Sequence, residues 1–114
     1  MKVAAVTSDL MLYSRIDAAG SAAGASMVRA SSPAELPAGL DLDLDLILVD
    51  WSERDPSWTD VLRAIRATGS RVILYGRHTD VEAHRAARDA GLGPMWARSK
   101  LVAELPTLVV PKRT

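Results

Sequence analysis

Leu46-Ile47-Leu48-Val49 is an unbroken apolar run that stops abruptly on Asp50. A strand that is apolar on both sides must be covered on both faces, which is the condition of a central strand in a parallel sheet. Val3-Ala4-Ala5-Val6 has the same character and empties into Thr7-Ser8-Asp9. Residues 25–30, 71–75 and 94–98 supply three further strand candidates. Between these runs, apolar residues recur at helical spacing, as in Leu12, Ile16, Ala19 and Ala23, then Trp58, Val61, Leu62 and Ile65, and finally Val102, Leu105, Leu108 and Val109. The alternation predicts an α/β domain with a five-stranded parallel sheet in the order 2-1-3-4-5, doubly wound into a three-layer sandwich by right-handed crossovers.

Local signals mark the ends of the helices. Ser8 or Asp9 can cap the first, and Gly24, Gly69 and Gly91 stand where three helices should stop. Ser57 with Asp60 and Thr79 with Glu82 have the spacing of capping boxes, and Ser99 can cap the last helix. Pro106 either interrupts that helix or opens its second half. Residues 31–40 contain Pro33, Pro37 and Gly39, too many breakers for more than a turn or one short helical piece. Acid alternates with leucine over residues 41–45 before the acids give way to the central strand.

At 114 residues and 48% hydrophobic side chains, the chain fits one domain over residues 1–114 with a single core. Trp51, Trp58 and Trp96 are expected as its few large rings, since phenylalanine is absent. Lys plus Arg equals Asp plus Glu at 14 each, so no net field recruits nucleic acid or an anionic membrane, and neither is expected as a partner. The lack of cysteine excludes disulfides and thiolate chemistry and agrees with a cytoplasmic location. A strand beginning at Lys2 leaves no room for a signal peptide, and no apolar run approaches the roughly 18 residues of a membrane span.

In an open parallel sheet every strand ends on one edge, where ligands bind. That edge should gather Asp9, Asp50 and Lys100. Two carboxylates and an ammonium suggest a small phosphoryl or metal site, yet each has a plainer reading. Asp9 serves equally as a helix cap, and Asp50 and Lys100 as a static ion pair. Arg77, one residue past the fourth strand, could neutralise Asp50 or point to solvent. His78, in the same loop, titrates near neutrality or is simply solvated. Gly91-Leu92-Gly93 precedes a strand and is not a nucleotide loop.

With an acid after strand three and a lysine after strand five, the chain resembles the receiver (CheY-like) domains of bacterial two-component signalling, which have a flavodoxin-like fold. The resemblance implies a phospho-acceptor at Asp50 and a phosphate contact at Lys100. It also brings an expectation of Mg²⁺ on an acid pair ending strand one, but Thr7 and Ser8 stand there, and Asp9 follows one place late. A hydroxyl residue ending strand four should report the phosphate, and here Gly76 and Arg77 occupy that segment. The departures point to a pseudo-receiver: a small stand-alone protein, not an enzyme and without a cofactor, acting by contact with a protein partner or a second copy. The face running from strand four to the last helix, with Tyr75, residues 81–90 and residues 101–109, is the expected surface. One alternative keeps phosphorylation of Asp50, with Mg²⁺ on Asp9. The other is a small ligand-binding protein or enzyme using Asp50, Arg77, His78 and Lys100.

Overall fold

The computed structural model describes residues 1–36 and 44–110. Five strands, β1 (Lys2–Val6), β2 (Ser26–Ala30), β3 (Leu46–Asp50), β4 (Arg71–Gly76) and β5 (Trp96–Ala97), form one sheet in the order β2-β1-β3-β4-β5, all pairs parallel. The helices are α1 (Leu10–Ala22), α2 (Trp58–Ala67), α3 (Val81–Asp89) and α4 (Arg98–Leu108). The central strand is β3, buried at all five positions, as its apolar run requires.

Alternate strand residues feed the two faces. Ala4, Val6, Ile47, Val49 and Leu74 meet Trp58 and Leu62 of α2 and Ala83 and Ala87 of α3. Val3, Ala5, Leu46, Leu48, Ile73 and Tyr75 meet Leu12 and Ile16 of α1 and Leu101 and Leu105 of α4. The core therefore lies in two layers on either side of the sheet. Gly24 and Gly69 take φ of 79° and 104°, the left-handed values that let the chain leave α1 and α2. None of the described helices is long and apolar enough to cross a membrane.

Several local expectations need correction. Ser57 makes no cap bond to α2. Its amide and hydroxyl both bind the Asp55 carboxylate, at 2.9 and 2.7 Å, because Asp55 already turns the chain ahead of the helix. Asp80, not Thr79, caps α3, accepting from the Ala83 amide at 3.0 Å. The fifth strand is two residues long, and α4 starts at Arg98 with no side-chain cap from Ser99. The helix then runs on through Pro106 to Leu108. Of the stretch 31–40, Pro33–Glu35 forms one 3₁₀ turn, with the Glu35 carboxylate accepting from the Ser32 amide at 3.2 Å. Residues 37–40 of that stretch, and Asp41 to Asp43 of the acid–leucine alternation, lie outside the described residues.

Trp51 and Trp58 are core residues, at 1% and 7% exposure, and the Trp51 indole N–H donates to the Ala83 carbonyl at 3.0 Å. Trp96 is only half-buried, because an edge strand of two residues has no layer outside it.

Candidate functional site

The C-terminal ends of β1 and β3 carry the densest polar packing in the described core. Thr7 is fully buried and Asp50 is 6% exposed, so neither can be satisfied by solvent. The Thr7 hydroxyl donates to Asp50 Oδ2 at 3.3 Å and accepts from the Asp9 amide at 3.0 Å. The other Asp50 oxygen accepts from the Ser52 amide at 3.2 Å and from the Ser52 hydroxyl, closing a 3₁₀ turn over Trp51–Glu53. This turn brings Glu53 back toward β1. Both Glu53 oxygens accept from the Ser8 amide, at 3.2 and 3.1 Å. Consecutive residues Thr7 and Ser8 thus hold Asp50 and Glu53.

Burial pushes the Asp50 carboxyl up from its ordinary range; the Ser52 hydroxyl partly offsets this, and the neighbouring Glu53 carboxyl adds to it. Asp9 moves the other way. The Leu12 amide and then the Arg98 guanidinium hold it below the ordinary carboxylate range. Its Oδ1 caps α1 through Met11 and Leu12 at 3.1 and 3.0 Å, and its Oδ2 takes Arg98 at 2.7 Å. The cap reading of Asp9 is what the geometry shows.

The basic candidates do not converge on Asp50. Lys100 lies in the first turn of α4, exposed, with its ammonium 4.3 Å from the centre of the Trp96 ring. The early start of α4 carries it off the strand end. Arg77 is also exposed and forms no ion pair with Asp50. His78 is exposed, and its carbonyl accepts from the His84 ring at 3.0 Å. At Gly76, a Cβ would stand 3.0 Å from Met95 Sδ, so the Met95 thioether fills the space that a hydroxyl side chain ending β4 would enter. Among the described residues, no group of three or more His, Asp or Glu is arranged to hold a metal ion.

Three participants went unanticipated. Glu53 is not among the candidates that the sequence singles out. Arg98 was assigned to the fifth strand and reaches across 89 residues to Asp9. Tyr75, expected on the contact face, is buried at 1% exposure, and its hydroxyl has no hydrogen-bond partner. Burial, with the nearby Asp50 carboxyl adding to it, raises the Tyr75 phenol above its usual value, so it stays neutral. The Asp-x-x-Glu spacing of Asp50 and Glu53 was the one available signal, since three residues return along a 3₁₀ turn.

What the site can do chemically follows from these contacts. A carboxylate attacks phosphorus only when ionised and when a cation offsets the approaching anionic oxygens. Here hydroxyl donors occupy both Asp50 oxygens, a second carboxyl lies alongside, and the guanidinium of Arg98 is bound to Asp9.

No protein-family model and no curated protein matches the sequence. Among solved structures, the receiver domain of the Francisella response regulator 1452 is similar over 95% of this chain and 92% of its own, with a TM-score of 0.66 at 18% identity. The likeness, together with the strand order and the acid ending β3, gives the chain the fold of a response-regulator receiver domain.

Proposed function

We propose that the protein is a stand-alone, pseudo-receiver signalling module of the bacterial cytoplasm that works by protein contact, without catalysis and without Mg²⁺-dependent phosphorylation of Asp50. One observation carries the reading. The lysine that the resemblance assigns to phosphate is stacked on Trp96, while Asp50 is buried among hydroxyl donors and a second carboxyl. A site so satisfied internally has little to offer a phosphodonor, and function passes to the surface.

The contact face needs redrawing from the sequence expectation. Tyr75, Leu101, Leu105 and Val109 are all buried and cannot be touched by a partner. What the β5 edge presents instead is the half-exposed Trp96 with Arg71 at 5.9 Å and Lys100 at 4.3 Å from its ring. An aromatic ring flanked by cations is the composition of an interface anchor. The test is a comparison of baits. Wild type and Asp50→Asn should recover the same partner or self-associate equally in sedimentation, and Trp96→Ala should lose it with an unchanged circular dichroism spectrum. Loss of the partner on Asp50→Asn alone, or a monomer with no partner in any form, would overturn the reading.

A further inference from the structure

The N-terminal edge of the sheet, opposite the strand-end cluster, carries a cleft of about 550 Å³ between the starts of β3 and β4 and the end of α4. Leu46 and Arg71 pair in register across the two parallel strands, and the Arg71 amide donates to the Asp45 carbonyl at 3.0 Å. The residue before β3 and the first residue of β4 are thereby held side by side. Both line the cleft, and Leu46, Leu108 and Val110 give it an apolar wall. Val110 is 50% exposed, a large aliphatic side chain left at the mouth of the cleft. The two charges in the cleft are opposite, and they are not spent on each other: the ion pairs among the described residues are Arg85–Glu82 and Arg98–Asp9. Asp45 Oδ2 accepts from the Lys2 amide at 2.8 Å, which leaves Oδ1 to a ligand. The Arg71 guanidinium lies 5.9 Å from the centre of the Trp96 ring, a cation–π contact that leaves its N–H donors to another acceptor.

We propose that this cleft binds a zwitterionic α-amino acid with an aliphatic side chain, its carboxylate on Arg71, its ammonium on Asp45 and its side chain against Leu108 and Val110. The chemistry of the lining selects the class. A guanidinium takes a carboxylate through two parallel N–H donors, and a carboxylate oxygen accepts from an ammonium. A ligand with only one charge would cover the cleft and leave the opposite protein charge desolvated and unpaired, which counts against it. The volume lies within the range of small-molecule sites, and the mixture of an apolar wall with a few polar groups is their usual lining. The site stands apart from Asp50 and needs no protein partner. Because Arg71 lies over Trp96, an occupant that engages the guanidinium is felt at that ring.

The experiment is calorimetric titration of the full chain with four probes, while the NMR resonance of the Trp96 indole is followed over the same additions. The probes are L-leucine, glycine, isocaproate (leucine without its ammonium) and isopentylamine (leucine without its carboxylate). Leucine should saturate with a Kd of about 1 mM or lower and shift the Trp96 indole resonance. Each incomplete probe should bind about tenfold or more weakly, since it leaves a charge or the apolar wall without a partner. Arg71→Gln should erase the advantage of leucine over isopentylamine, and Asp45→Asn its advantage over isocaproate, with circular dichroism unchanged. Val110→Glu, at the exposed wall, should weaken leucine about tenfold or more, which keeps the test decisive should either of the other variants fold poorly. No saturation by about 10 mM leucine would overturn the proposal. So would single-charge probes that bind as tightly as leucine, or leucine binding that survives Arg71→Gln intact.

Discussion

The acidic half of the sheet's C-terminal edge, at β1 and β3, is turned inward, and the basic half, at β5 and α4, is turned out. Thr7 and Asp50 are buried and bonded to one another, while Arg98 and Lys100 are exposed, one held by Asp9 and the other stacked on Trp96. The strands themselves account for the split. The central strand β3 is covered by a layer on each face, so a polar group at its end must find internal partners. The two-residue strand β5 has nothing outside it, and its neighbours meet water. One edge of one sheet therefore holds a dry acid pocket and a wet cationic rim, which separates groups that a phosphoryl site would bring together.

Substitutions can break this contrast at graded strengths. The largest effect belongs to Trp51→Ala, which empties a fully buried site and removes the indole hydrogen bond to the Ala83 carbonyl; urea unfolding should show a loss of roughly 3–5 kcal/mol. Thr7→Val keeps the shape but removes the hydroxyl shared by Asp50 and the Asp9 amide, and should cost about 1–3 kcal/mol in the same assay.

Asp50→Asn sharpens the contrast by sign. Because the folded carboxyl titrates above its ordinary range, its stabilising contribution is complete below the unfolded value and is lost as pH rises through the raised folded value. The asparagine form should therefore be the more stable at neutral pH, with the gap closing on acidification. Asp9 works in reverse: its contribution is present above the ordinary carboxylate range and is lost as pH falls through its lowered value. The smallest effect is expected on the wet rim. Lys100→Ala removes a half-exposed cation–π contact and should shift stability by only about 0.5–1 kcal/mol, and a loss as large as that of Thr7→Val would erase the distinction between the two halves.

The architecture was legible because its signals are local. The apolar run 46–49 announced a covered strand, and Gly24, Gly69 and Gly91 marked helix ends where each adopts positive φ. Strand order followed from the alternation of elements and the handedness of crossovers. The site was less legible, because its contacts span the chain. Thr7 meets Asp50 across 43 residues, Ser8 meets Glu53 across 45 and Asp9 meets Arg98 across 89. Lys100 shows how a small boundary shift matters. Reading the fifth strand through Arg98 put Lys100 at a strand end, whereas a strand ending at Ala97 places it on a helix, turned toward Trp96. Capping was misplaced at Ser57 and Thr79 for a related reason, since Asp55 takes the Ser57 amide and hydroxyl, and Asp80, one residue on from Thr79, takes the Ala83 amide.

The central claim is that Asp50 is held as a structural acid and is not a phosphoryl acceptor. Its most direct test is the intact mass of the protein after incubation with acetyl phosphate and millimolar Mg²⁺, with Asp50→Asn as the control. The internal bonding of Asp50, the carboxyl of Glu53 beside it and the diversion of Lys100 to Trp96 predict no phosphoryl adduct in either form. A phosphoryl adduct on the wild type that disappears in Asp50→Asn would contradict the account.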